Sequence, residues 1–78
     1  MRDDIGVRVV LARTKRDWNQ KTLSEKAGLS QKTLSLIEKG HAHRLYADTV
    51  VRLAKALGVT TDWLLGLTSE PDDRSTKA

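Results

Sequence analysis

At 78 residues with no cysteine and one proline, the chain suits a single small domain and excludes a disulfide framework or a cysteine-type zinc site. His41 and His43, the only two histidines, sit in an expected loop with no further ligands beside them, so neither a metal nor a cofactor is expected. Fourteen Lys and Arg against ten Asp and Glu give a net charge of +4, and residues 1–67 alone carry +5, because Glu70, Asp72 and Asp73 outnumber Arg74 and Lys77 in the remainder. A basic domain suits a polyanionic partner such as nucleic acid, and it equally suits a surface that is merely soluble.

No run approaches the roughly 20 apolar residues that span a membrane. The N-terminus lacks an apolar signal core, so a reducing cytoplasm is the expected place. A chain this small usually draws stability from some added source, and oligomerisation is the one left open.

Helical periodicity dominates throughout. Asp3 or Asp4 is placed to cap a first helix running to about Arg16, since a short acid accepts the unpaired backbone N–H groups there. Ile5, Val9, Ala12 and the stem of Arg16 share one face. Val7, Val10 and Leu11 fall roughly opposite, which predicts a contact with the C-terminal segment or another chain. Asp17-Trp18-Asn19 breaks the pattern, and Asn19 caps a second helix, Gln20 to Ala27, ending at Gly28. Ser30 caps a third, Gln31 to Lys39, ended by Gly40. After a polar connection over 41–47, Asp48 is expected to cap a fourth helix with Val50, Leu53, Ala54 and Leu57 on one face and Gly58 at its end. Thr60 or Thr61 caps a short fifth segment, Asp62 to Leu65. Residues 68–78 hold the only proline, three acids and no large apolar side chain, and read as a disordered polar tail. No β-alternating run appears, so the fold class is all-α, with one domain over 1–67.

The sharpest signal is the three-residue link Gly28-Leu29-Ser30 between the second and third helices. A tight bend there needs Leu29 buried between the helices and Gly28 where a side chain would clash or demand a positive φ. It also needs a small Ser24, and Leu23, Ala27, Leu34 and Ile37 as the apolar faces that lock the pair. All of these are present. A helix-turn-helix that binds DNA meets these requirements, and so does a bare αα-hairpin of a helical bundle.

Taken with the order of its other segments, the sequence resembles the lambda-repressor/Cro-like, or Xre-type, helix-turn-helix family. The matching stretches are Ile5-Gly6-Val7-Arg8-Val9, 19–30, 33–40 and 53–66, so the likeness spans residues 5–67. Asn19-Gln20 together with Asp62-Trp63-Leu64-Leu65 looks most like the lambdoid phage repressors. The resemblance implies a compact five-helix fold whose third helix enters the DNA major groove. It implies that Gln20 binds a phosphate and braces the first base-reading side chain. Gln31 matches that reader, and glutamine pairs bidentately with adenine N6 and N7. Lys32 matches the next reader, suited to guanine O6/N7 or a phosphate. Leu36 matches a third, departing from the polar residue often seen there, so its contact would be apolar. Ser35 flanks this face; Asn19, Thr33, His43 and Arg44 join Gln20 as expected phosphate contacts. The 41–47 loop is at least one residue longer than is usual and lacks the customary proline, which weakens the match at His43 and Arg44.

Arg13 and Glu38 match a family ion pair, the alternative being two unrelated surface charges. Val59, Thr60, Thr61 and Trp63 match a dimer surface, although Trp63 equally suits a core. The function implied is a transcriptional regulator, a repressor binding a palindromic double-stranded operator as a homodimer in a bacterium or phage, with no small-molecule ligand. The competing function is an interaction module that keeps the fold without specific DNA binding. Enzyme activity is not expected, because no carboxylate pair, activated nucleophile or phosphate loop can be assembled.

Overall fold

The computed structural model describes residues 5–41 and 47–69. They form α1 (Ile5–Lys15), α2 (Gln20–Ala27), α3 (Gln31–Glu38), α4 (Ala47–Leu57) and α5 (Thr61–Leu64). No described residue is in a strand, and the all-α five-helix expectation holds. The boundaries of α2 match the sequence expectation, and the others move by a residue or two. α4 begins at Ala47, so Asp48 lies inside its first turn and is not its cap. There Asp48 sits 3.9 Å from Arg52 one turn on, a weak exposed pair. Thr60, not Thr61, caps α5, its hydroxyl accepting the Trp63 N–H at 3.1 Å. Asp3, Asp4, His43, Arg44 and the tail from Glu70 lie outside the described residues. No described helix is long and apolar enough to cross a membrane.

The core follows from the helical period. Leu23, Leu34, Ile37, Leu53, Leu57, Leu64 and Val9 are each less than 2% exposed or close to it, joined by Ala12, Ala27, Val50, Ala54 and Trp63. α1 packs against α3, α4 and α5, and α2 packs against α3 and α4. α1 is apolar around more than one side. Val9 and Ala12 point into the core, whereas Val7 and Leu11 are each 49% exposed. Val10 is half-buried. Leu11 also rims a shallow groove of about 90 Å³ with Ala12, Lys15, Arg16, Val59 and Trp63.

Two features hold α1 against the end of α3. The first is Gly6, where a Cβ would overlap the backbone oxygen of Ile37 and lie 2.9 Å from that of Glu38. Only a residue without a side chain lets the backbones approach this closely. The second is a buried ion pair. Arg13 Nε donates to Glu38 Oε2 at 2.7 Å and Nη2 donates to Oε1 at 3.0 Å. The two side chains are only 14% and 5% exposed. The remaining guanidinium arm, Nη1, donates to the Trp18 carbonyl at 2.9 Å, just before α2 begins. One arginine therefore ties α1, the end of α3 and the entry to α2. Trp18 is itself flanked by the cations of Arg16 and Lys26, 5.9 and 4.9 Å from its ring centre.

These contacts yield two stability predictions. In an open helix, Gly→Ala would be worth about 1 kcal/mol of stabilisation. At Gly6 the sign should reverse, with a loss of roughly 1–3 kcal/mol or more from overpacking against backbone that cannot move aside. Urea unfolding of the G6A variant at neutral pH measures it, and a midpoint at or above wild type would refute the close approach. Arg13→Ala strands the Glu38 carboxylate out of water and should cost roughly 3–5 kcal/mol. Replacing both residues with apolar ones should cost far less than the two single losses together. Additive losses in that cycle would mean that the two side chains contribute independently.

Candidate nucleic-acid interface

Local chemistry builds the α2–α3 bend. Asn19 adopts an extended conformation and its side-chain oxygen accepts the Thr22 N–H at 2.8 Å, satisfying one of the unpaired donors of the first turn. At the other end Gly28 takes φ 72°, the left-handed region. From there its N–H reaches the Glu25 carbonyl at 3.3 Å, and the Leu29 N–H reaches that of Ser24 at 2.9 Å. This pair of bonds closes the helix and turns the chain. Arg52 of α4 donates to the Gly28 carbonyl at 3.1 Å, tying the bend to the scaffold. Ser24 is 4% exposed, as a close helix crossing requires, and its hydroxyl is satisfied by the Lys21 carbonyl at 2.8 Å. Leu29 is partly buried against the core. Ser30 restarts the helix by accepting the Thr33 N–H at 3.0 Å.

With the bend set, α3 divides into two faces. Leu34 and Ile37 are 0% and 2% exposed. Gln31, Lys32 and Thr33 are exposed, and Leu36 is 40% exposed. Three of the four expected base readers thus lie on the open side. Ser35 departs from expectation: it is half-buried, and Thr33 is the more open of the two. The eight-residue helix is phased by Leu34 and Ile37, which turns Ser35 towards the rim. The Thr33 hydroxyl accepts from that of Ser30 at 2.8 Å, so it serves the cap as well as the surface.

The expected phosphate contacts fall into three groups. Asn19 is exposed, with its oxygen committed to the cap and its amide nitrogen free of that duty. Gln20 is half-buried, and its Nε2 donates to Glu38 Oε1 at 2.8 Å. The bond it makes runs to the end of α3, a partner that sequence reasoning did not foresee. His43 and Arg44 lie outside the described residues. Lys21, exposed beside Gln20 in the first turn of α2, was not among the expected contacts but lies on the same edge of the bend. It puts a cation next to the positive end of a helix, where an anion is favoured.

The residues expected at a dimer surface are spread differently. Val59 is partly buried against the core, Thr60 is the α5 cap, and Thr61 is half-buried. Trp63 is only 8% exposed and belongs to the chain's own core, the second of its two expected readings. Its ring is covered by the Arg8 guanidinium, 5.1 Å from the ring centre. Indole is large and apolar, and a four-residue helix has no other bulky side chain than Trp63 and Leu64 with which to dock.

A helix-turn-helix family model matches residues 11–64, the stretch from mid-α1 through α5. Among solved structures, the P22 c2 repressor protein in complex with a synthetic operator superposes with a TM-score of 0.78 at 25% identity, over 86% of this chain and 100% of that one. The N-terminal DNA-binding domain of SinR from Bacillus subtilis gives 0.73 at 27% identity, over 77% and 87%. A chain of the SinR protein/SinI protein complex gives 0.75 at 28% identity, over 78% of this chain but only 59% of that one. This chain therefore spans less than two thirds of the chain it matches in that complex. The matched stretch covers well over half of the chain and includes the whole α2–α3 bend, so the chain belongs to the lambda-repressor-like helix-turn-helix family.

Proposed function

We propose that the protein is a sequence-specific regulator of transcription that binds double-stranded DNA, laying α3 in the major groove. The observation that carries this reading is the row Gln31, Lys32, Thr33 and Leu36, exposed on a helix whose opposite side is fully buried. A helix kept only for packing has no need of this row. Gln31 offers the donor and acceptor that match adenine N7 and N6, Lys32 suits guanine O6/N7, and Leu36 suits a thymine methyl. Gln20, Lys21, Asn19 and Thr33 hold the sugar-phosphate backbone on either side, fixing register without reading sequence. The likeness to a repressor solved with its operator supports the same reading.

One such module reads only a few base pairs. A homodimer on a palindromic operator supplies the rest, with half-sites about 34–36 Å apart on one face of the duplex. The Val59–Thr61 turn and the exposed side chains of Leu65 and Leu67, 49% and 72% exposed, form the surface assigned to that pairing. The regulatory sense proposed is repression, by occupying a site that transcription needs. No enzymatic step and no small-molecule ligand are part of the proposal.

Two measurements test it. A site selected from a random duplex library should lose roughly 1–3 kcal/mol of affinity with Gln31→Ala, while random DNA loses little, so that specificity collapses. Lys21→Ala should weaken both alike and lower the slope of log affinity against log salt by about one. If Gln31→Ala leaves the specificity ratio intact, α3 is not the reader and an interaction module becomes the better account. For the dimer, sedimentation at micromolar concentration should show two chains per operator. A strictly monomeric protein, with and without DNA, would dispose of the homodimer.

A further inference from the structure

Among the described residues, Glu38 accepts three side-chain hydrogen bonds, and packing does not account for all of them. It is the last residue of α3, where the helix dipole disfavours an acid. Its carboxylate is nonetheless buried at 5% exposure, and both oxygens are used. Oε2 accepts Arg13 Nε at 2.7 Å; Oε1 accepts Arg13 Nη2 at 3.0 Å and Gln20 Nε2 at 2.8 Å. The Arg13 pair explains how the charge is tolerated. It does not explain the third bond, which reaches across to the first residue of α2.

We propose that Glu38 is a positioning residue for DNA binding, setting the orientation of the Gln20 amide through this bond. The inference rests on the DNA-binding reading above. The chemistry is one of polarity. A carboxylate can only accept hydrogen bonds, so Gln20 must turn its nitrogen towards Glu38. One N–H is then spent, and the other, fixed in direction by the planar amide, is offered to a phosphate oxygen beside the α2 N-terminus. Were the partner neutral and able to donate, the amide would flip and present its oxygen inward, moving the donor away from the phosphate. Because Glu38 ends the reading helix and Gln20 begins α2, the same bond makes the phosphate clamp and the reader move as one body.

The test is a double-mutant cycle in binding, using the full chain and a short random-sequence DNA duplex, since a phosphate contact does not depend on base sequence. Wild type, Q20A, E38Q and the double variant are compared at a temperature where circular dichroism shows each to be folded. Q20A and E38Q should each weaken binding about tenfold, the weight of one hydrogen bond to a charged group, and the double variant should lose no more than either alone. If Q20A binds as well as wild type, Gln20 does not meet a phosphate, and that contact falls together with this inference. If Q20A loses affinity but the losses multiply to about a hundredfold, only the inference falls and Glu38 is purely structural. Should E38Q not fold, E38D keeps the charge for Arg13 while withdrawing the carboxylate by one methylene, and the same non-additivity with Q20A is required. Gln20 is uncharged and releases no counterion, so the salt slope should be equal in all variants. A slope that changes with E38Q would show Glu38 acting directly on the DNA field and would overturn the proposal.

Discussion

A carboxylate removed from water has to be surrounded by donors, and Glu38 dictates much of this structure through that need. An unpaired charge at its depth would cost several kcal/mol, so Arg13 must reach it from α1 and Gln20 from α2. Arg13 in turn spends its last arm on the Trp18 carbonyl. Three separate segments are thereby held to the end of α3. The absence of a side chain at Gly6 complements this, allowing the α1 backbone to come against the carbonyls of Ile37 and Glu38. Apolar contacts alone would tolerate some sliding of helix over helix. A two-pronged guanidinium–carboxylate bond does not, because its geometry is planar and directional.

That rigidity matters for the proposed role of α3 in reading bases. Discrimination in the major groove depends on hydrogen bonds placed to within a fraction of an ångström. α3 has only eight residues, too short to be stable as an isolated helix. Its order comes from elsewhere: the Ser30 cap at its start, Leu34 and Ile37 in the core, and the Glu38 bonds at its end. The exposed face is left free of structural duty apart from Thr33, whose hydroxyl helps its cap. Stability and the proposed recognition thus fall to different sides of one short helix.

α1 shows the opposite economy, using its whole circumference. Its inner side fills the core with Val9 and Ala12, and Arg8 lies over Trp63. Val7 and Leu11 stay half-exposed, and Leu11 borders a groove whose walls include Lys15 and Arg16. The sequence expectation of an apolar back face is met at Val7 and Leu11 and only partly at Val10, which tilts inward. Trp63 had two readings, and its docking beneath α1 decides between them: it is core.

The sequence by itself determined what is local. Helical period, Asn19 and Ser30 caps, and the Gly28 stop depend on residues within one turn of each other, so α2 and α3 and the bend between them were legible nearly to the residue. The core residues of α2, α3 and α4 were legible for the same reason, since burial on a helix repeats with its period. The Arg13–Glu38 pair was reached through family likeness, because nothing in the spacing of residues 25 apart reveals contact. What only the tertiary structure decided is non-local. It brought Gln20 to Glu38, put Trp63 inside, turned Ser35 towards the rim and left Thr33 open. Each depends on the angle and depth at which helices cross, a quantity set by packing of distant side chains and by Gly6 lacking one.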